Sequence, residues 1–261
     1  MSDRDYGAEV AANRGEVMHA DQRTESPWAV LISTQPVAVV RVGGTIQRGQ
    51  SARLCQRIVE VVGTQSDGVV LDLAELTPAP QAPSEALAAL PGLLRAFAGR
   101  TVAICGRPSW LRPPRLPGFR DQAEATRYVL AAPESPRLEL SFDRVLEASA
   151  AARQLVTDAC EEWDLPPALT GPAQLVVTEL VNNAILHAGT NLSLTVTRLT
   201  DSMHIAVHDG STVLPAVRRP SSGPLPSAGR GLTLIEAFAS AWGATALADG
   251  KIVWAELKPP Q

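Results

Sequence analysis

The chain has 261 residues, 45% of them apolar, and a net charge of −4, which suits folded cores and argues against general disorder. With no Lys/Arg cluster it lacks the footprint of a nucleic-acid binder. No apolar run reaches membrane-span length, and Cys55, Cys105 and Cys160 fit neither a disulfide framework nor a zinc site. These features lead to the expectation of a soluble, cytoplasmic protein with no membrane and no direct nucleic-acid partner.

Residues 1–26 are polar and mixed in charge, without the apolar core of a signal peptide, and read as a disordered tail. "WAVLISTQPVAVVRVGGTI" then predicts two short strands split by Gln35-Pro36 and closed by Gly43-Gly44. "SARLCQRIVEVVG" spaces Leu54, Ile58, Val61 and Val62 for a helix, and "GVVLDLAEL" is a continuous apolar strand. The helix-prone "SEALAALPGLLRAFAG" and the strand "TVAICG" complete a small α/β layer domain over residues 27–119. The proline-punctuated "RPSWLRPPRLPG" ends it, and residues 120–136 are expected as a linker.

The second half, residues 137–261, starts with the strand "RLELSFD". In the next segment Val145, Ala152, Leu155, Ala159 and Trp163 trace one stripe of an amphipathic helix. "PPALTGPA" is expected to interrupt before a further helix carrying "TELVNNAILHAG". "NLSLTVTRL" and "SMHIAVHD" alternate as half-buried strands, and Asp249-Gly250 in "GATALADGKIVWAEL" marks a hairpin. The expected architecture is an α+β sandwich, with helices on one face of a mostly antiparallel sheet.

Three motifs in this half carry chemistry. Glu179, Asn183 and His187 are spaced four apart and stack on one helix face, while Val177, Leu180, Val181 and Ala184 bury the other. A carboxylate one turn from an amide suits Mg²⁺ with phosphates, and a carboxylate can accept a proton from an attacking hydroxyl. Read alone, the stripe fits a solvent-facing edge equally well. Asp209 ends a strand before Gly210, where it could accept from a purine amine or simply start a turn. Gly229 and Gly231 flank Arg230 ahead of a helical pattern through Leu232, Ile235, Phe238 and Ala239. Such glycines let backbone N–H groups approach a phosphate, although a lone Gly-x-Gly is more often a plain turn. The loop "STVLPAVRRPSSGPLPSA" before them has the length of a functional lid, and no P-loop motif occurs.

In this order the motifs resemble the GHKL (Bergerat, HATPase_c) ATP-binding fold of gyrase, histidine kinases and MutL. They are most similar to its anti-sigma-factor serine/threonine kinase branch (RsbW-like). "ELVNNAILHAG" looks like the N box, "VHDGS" the G1 box, "GRGLTLIEAFASAWG" the G2 box and "GKIVWAEL" the closing strand. The resemblance implies Glu179 as general base or water-orienting acid and Asn183 as the Mg²⁺ ligand. Asp209 and Gly210 would hold adenine, and Gly229, Arg230, Gly231, Leu232 and Thr233 the phosphates of ATP. Asn182 is the less favoured of the two asparagines, and His187 is as readily structural as catalytic. Two departures stand out: Ser211 replaces a glycine of the G1 box, and Ile252 aligns with a threonine of the closing strand.

The first domain more loosely resembles a STAS domain, the fold of anti-anti-sigma factors. Where that family carries its phosphoacceptor turn, this chain reads "LTPAPQAPSEAL", with only Thr77 and Ser84 nearby. The implied function is an ATP-binding anti-sigma-type regulator acting on transcription. It would bind a sigma factor or an anti-anti-sigma STAS partner and phosphorylate the latter. The alternative is a non-catalytic interaction switch or scaffold. Related kinases dimerise, so a homodimer is also implied, although no apolar patch in the sequence identifies an interface.

Overall fold

Parallel strands cannot be joined by a tight turn, and the first half of the chain shows the consequence. A computed structural model describes residues 26–63, 65, 68–142, 148–215 and 230–259. Strands β1 (Trp28–Ser33) and β2 (Ala38–Ile46) pair antiparallel. Helix α1 (Ser51–Gly63) then crosses over to β3 (Val69–Pro78), parallel to β2, and α2 (Leu90–Leu94) leads to the parallel β4 (Val102–Cys105). The sheet order is β1-β2-β3-β4. The helix expected over residues 84–99 shrinks to α2 and a 3-10 turn, Arg95–Phe97. Pro91 accounts for this, because its ring fits the first helical turn and disfavours helix in the residues before it.

The stretch expected as a linker carries helix α3 (Gln122–Ala131). Asp121 caps it by accepting from the Glu124 amide at 2.9 Å, and Glu124 reaches back to the Arg120 N–H at 3.3 Å. That reciprocal capping is legible in Asp-x-x-Glu. Ala125 and Val129 then bury against Val70, Ala103 and Cys105 on the outer face of the first sheet.

The second sheet, order β5-β6-β7-β9-β8, is antiparallel throughout. Its strands are β5 (Arg137–Phe142), β6 (Leu192–Arg198), β7 (Met203–Asp209), β8 (Ala241–Leu247) and β9 (Gly250–Leu257). Helices α4 (Ala148–Glu162), α5 (Pro167–His187) and α6 (Arg230–Phe238) lie on one face. α5 runs through Pro172 instead of starting after it. Leu169 and Ala173, both buried, anchor the turns around that proline. Val177, Leu180, Val181 and Ala184 pack on the sheet with Leu194, Val196, Ile205 and Val207. Each such buried aliphatic contributes about 1.5–3 kcal/mol relative to exposure.

The other face of this sheet was expected to be the polar side, yet much of it is buried too. Ala206, Ile252 and Trp254 join one core with Val40, Leu54, Leu71 and Leu90 of the first domain. The layers therefore run α3, first sheet, α1 with α2, second sheet, α4 with α5 and α6. All three cysteines are free and buried, and burial pushes the Cys55 and Cys105 thiols up to about 11. Among the described residues no helix is long and apolar enough to cross a membrane.

Candidate functional site

The helical period sets the first part of the site. Glu179 and Asn183, one turn apart on α5, are half-buried and face the start of α6. A methyl group on Gly231 would stand 2.6 Å from Glu179 Oε2, and 3.5 and 3.6 Å from Asn183 Nδ2 and Oδ1. Residues some fifty positions apart in sequence thus pack against one another, and only a glycine permits so close an approach. Asn182 turns the other way, and the Ser149 hydroxyl on α4 donates to its Oδ1 at 2.7 Å. His187 is the exposed last residue of α5.

Gly229 and most of the long loop before it, residues 216–229, lie outside the described residues, as does Val145. Arg230 starts α6, and Gly231 next to it adjoins the Glu179 side chain. Leu232 is half-buried, Thr233 exposed and Ile235 fully buried. Phe238, expected on the buried stripe, is 44% exposed.

Asp209 occupies the end of β7 with its side chain 2% exposed. Its phase along the strand matches Met203, Ile205 and Val207, which pack under the helices, so it faces the same layer as Glu179 and Asn183. Its Oδ1 accepts from the Ser211 N–H at 2.8 Å, and Gly210 N–H donates to Thr190 Oγ1 at 2.9 Å. Ser211, where a glycine was expected, thus closes a side-chain turn onto Asp209.

Sequence reasoning missed Lys251. It is the cross-strand partner of Asp209, and its Nζ donates to Asp209 Oδ1 at 2.8 Å. Its side chain is 6% exposed. Cross-strand partners share a face, whereas successive residues alternate. Ile252 therefore points to the opposite side, into the first domain's core. Lys251, and not Ile252, is the closing-strand residue beside Asp209. The signal was a single lysine in phase with Val253, Ala255 and Leu257 in "GKIVWAEL".

The donor set can be tested against a magnesium nucleotide. Asn183 Nδ2 is buried with no hydrogen-bond partner among the described residues. An orphaned amide costs on the order of 1–3 kcal/mol, so it points to a ligand group. The α6 N-terminus suits phosphate, and the Glu179 and Asn183 oxygens suit a hard cation. The residues fit the group.

Residues 142–256 match the family described as histidine kinase-like ATPase domain. No curated protein matches the chain. One similar solved structure holds the RsbU and RsbW domains of Rv1364c from Mycobacterium tuberculosis, at 16% identity and a TM-score of 0.38. The similarity covers 48% of this chain and 33% of that one, so this chain spans about a third of that protein's length. The family match falls on the segment in which Glu179, Asn183, Asp209 and Gly231 face one layer. Residues 142–256 thus resemble a histidine kinase-like ATPase domain.

Proposed function

We propose that the chain is an ATP-binding regulator of the anti-sigma type, and that its ATPase domain is a protein serine/threonine kinase acting on an anti-anti-sigma STAS partner. The observation that carries this reading is the close approach of Gly231, at the start of α6, to Glu179 and Asn183 on α5. Bound Mg²⁺-ATP supplies the phosphoryl group there, and catalysis is chiefly positioning and charge neutralisation. Glu179 takes the proton of the partner's hydroxyl as its oxygen bonds to phosphorus and the bond to the ADP oxygen breaks. Asn183 would hold Mg²⁺, which would neutralise charge on the phosphates. Asp209, with Gly210 beside it, accepts from the adenine amine. Gly229, Arg230, Gly231, Leu232 and Thr233 receive the phosphates at the α6 N-terminus.

The first domain, read as STAS-like, acts in this scheme as a docking or sensing module. Its Thr77 Oγ1 lies 3.0 Å from Thr45 Oγ1, a hydroxyl engaged within the sheet. A second reading, a nucleotide-dependent switch without transfer, is favoured by the core that this domain shares with the ATPase sheet. Radiolabelled ATP with a candidate STAS partner separates the two. Transfer to a partner serine or threonine that disappears in Glu179→Ala supports the kinase. ATP binding with no transfer to any partner supports the switch and overturns the kinase.

A further inference from the structure

Asp209 and Lys251 form a charge pair inside the layer between the second sheet and its helices. Asp209 Oδ1 accepts both Lys251 Nζ and the Ser211 N–H, each at 2.8 Å. Lys251 Nζ also lies 3.4 Å from the Ser211 carbonyl oxygen. A carboxylate offers about four acceptor positions and an ammonium three donors. Among the described residues, two donors on one oxygen leave acceptor capacity on Asp209, and two contacts leave Lys251 a further N–H. The ammonium is held in place, because the strand register opposes the two residues and Gly250 brings β9 against the Asp209 carbonyl. A partly satisfied acceptor and a partly satisfied donor thus stand side by side in a desolvated position.

That arrangement has a definite complement. The pairing edge of adenine sets an amine N–H donor directly beside a ring-nitrogen acceptor. We infer that Lys251 is a base-specificity residue, donating to the ring nitrogen while Asp209 accepts from the neighbouring amine. The inference rests on the ATP reading above and adds a second recognition atom to it. A carboxylate alone reads only a donor on the base; the Asp209–Lys251 pair reads a donor and an acceptor in fixed order. Because both side chains are buried, a base lacking the acceptor would strand a charged N–H without water to replace it, the condition under which polar sites discriminate most strongly.

The test compares Mg²⁺-ATP with the analogue in which carbon replaces that ring nitrogen, by calorimetric titration of the full chain. The wild type is expected to bind ATP about tenfold more tightly than the analogue, the scale of one charge-assisted hydrogen bond. In Lys251→Met the preference falls to near unity. Lys251→Gln, which keeps an N–H donor, holds an intermediate preference. Equal binding of ATP and analogue by the wild type overturns the inference and needs no variant. Tighter binding of both nucleotides by Lys251→Met, in equal proportion, also overturns it, because the ammonium is then an occupant of the base position. Failure of the wild type to bind ATP at all overturns instead the ATP reading on which the inference stands.

Discussion

Arg95, from the turn after α2, meets Glu256 on β9 at 2.7 Å and sets its guanidinium 4.9 Å from the centre of the Trp254 ring. Arg95 belongs to the first half of the chain and Glu256 to the second sheet, and the contact adjoins a core that runs between the two halves. Arg95 is 47% exposed, so its ion pair and ring contact together contribute about 1 kcal/mol. Trp254 is 4% exposed, and its loss leaves a cavity. Trp254→Ala is expected to cost about 3–5 kcal/mol and Arg95→Ala about 1 kcal/mol. Urea unfolding of the full chain checks both. The shared core also predicts one cooperative transition, coincident by fluorescence and circular dichroism, where independent domains would give two.

Gly231→Ala tests the close approach of α6 to α5. The added methyl meets the end of the Glu179 side chain, which can swing aside, so stability should change by less than about 0.5 kcal/mol. The space beside Glu179 and Asn183 is lost all the same. Affinity for Mg²⁺-ATP should fall at least about tenfold while the melting temperature without nucleotide holds. Titration calorimetry and thermal melts on the same preparation separate the two effects.

Gly250→Ala has the opposite signature. A methyl group there would lie 1.9 Å from the Asp209 carbonyl oxygen, and neither backbone can yield without opening the β7–β9 ladder. A loss of more than about 2 kcal/mol is expected. Denaturant unfolding measures it, with accelerated amide exchange along β9 as the local readout.

His204, 2% exposed, stacks on Trp254 at 5.5 Å in the space between the sheets. Burial pushes its imidazole down from 6.5 to about 4; the Arg95 carbonyl and the Glu256 charge oppose that fall, and the Arg95 charge adds to it. The unfolded chain thus takes up this proton at a higher pH than the folded one. The stability associated with neutral His204 is complete above about pH 6.5 and falls progressively toward pH 4, by a few kcal/mol in all. His204→Gln should flatten that part of the curve. Unfolding free energies at intervals between pH 7 and pH 4, for wild type and variant, decide it.

The pairing of Glu179 with Asn183 was legible because it is local. Glu179 and Asn183 share a face by the helical period alone, and the order of motifs placed a glycine turn before α6. The capped start of α3 was equally legible in Asp121-x-x-Glu124 but lay in a stretch read as linker, beside prolines that mark irregular chain. Pro91 and Pro172 show the limit of such marks. The first shortened a helix, while the second was absorbed into one, because Leu169 and Ala173 found a core to bury against.

By itself the sequence determined the strands, the amphipathic faces of α1 and α4 and the α5 pair, since helix and strand periods are properties of neighbouring residues. Tertiary structure decided which residue of β9 stands beside Asp209, a choice of one position that the hairpin register makes in favour of Lys251 over Ile252. It also decided that the far face of the second sheet is buried. Ala206, Ile252 and Trp254 alternate there as they would on an exposed strand, and what covers them comes from residues more than a hundred positions away. No local period records burial supplied by a distant segment.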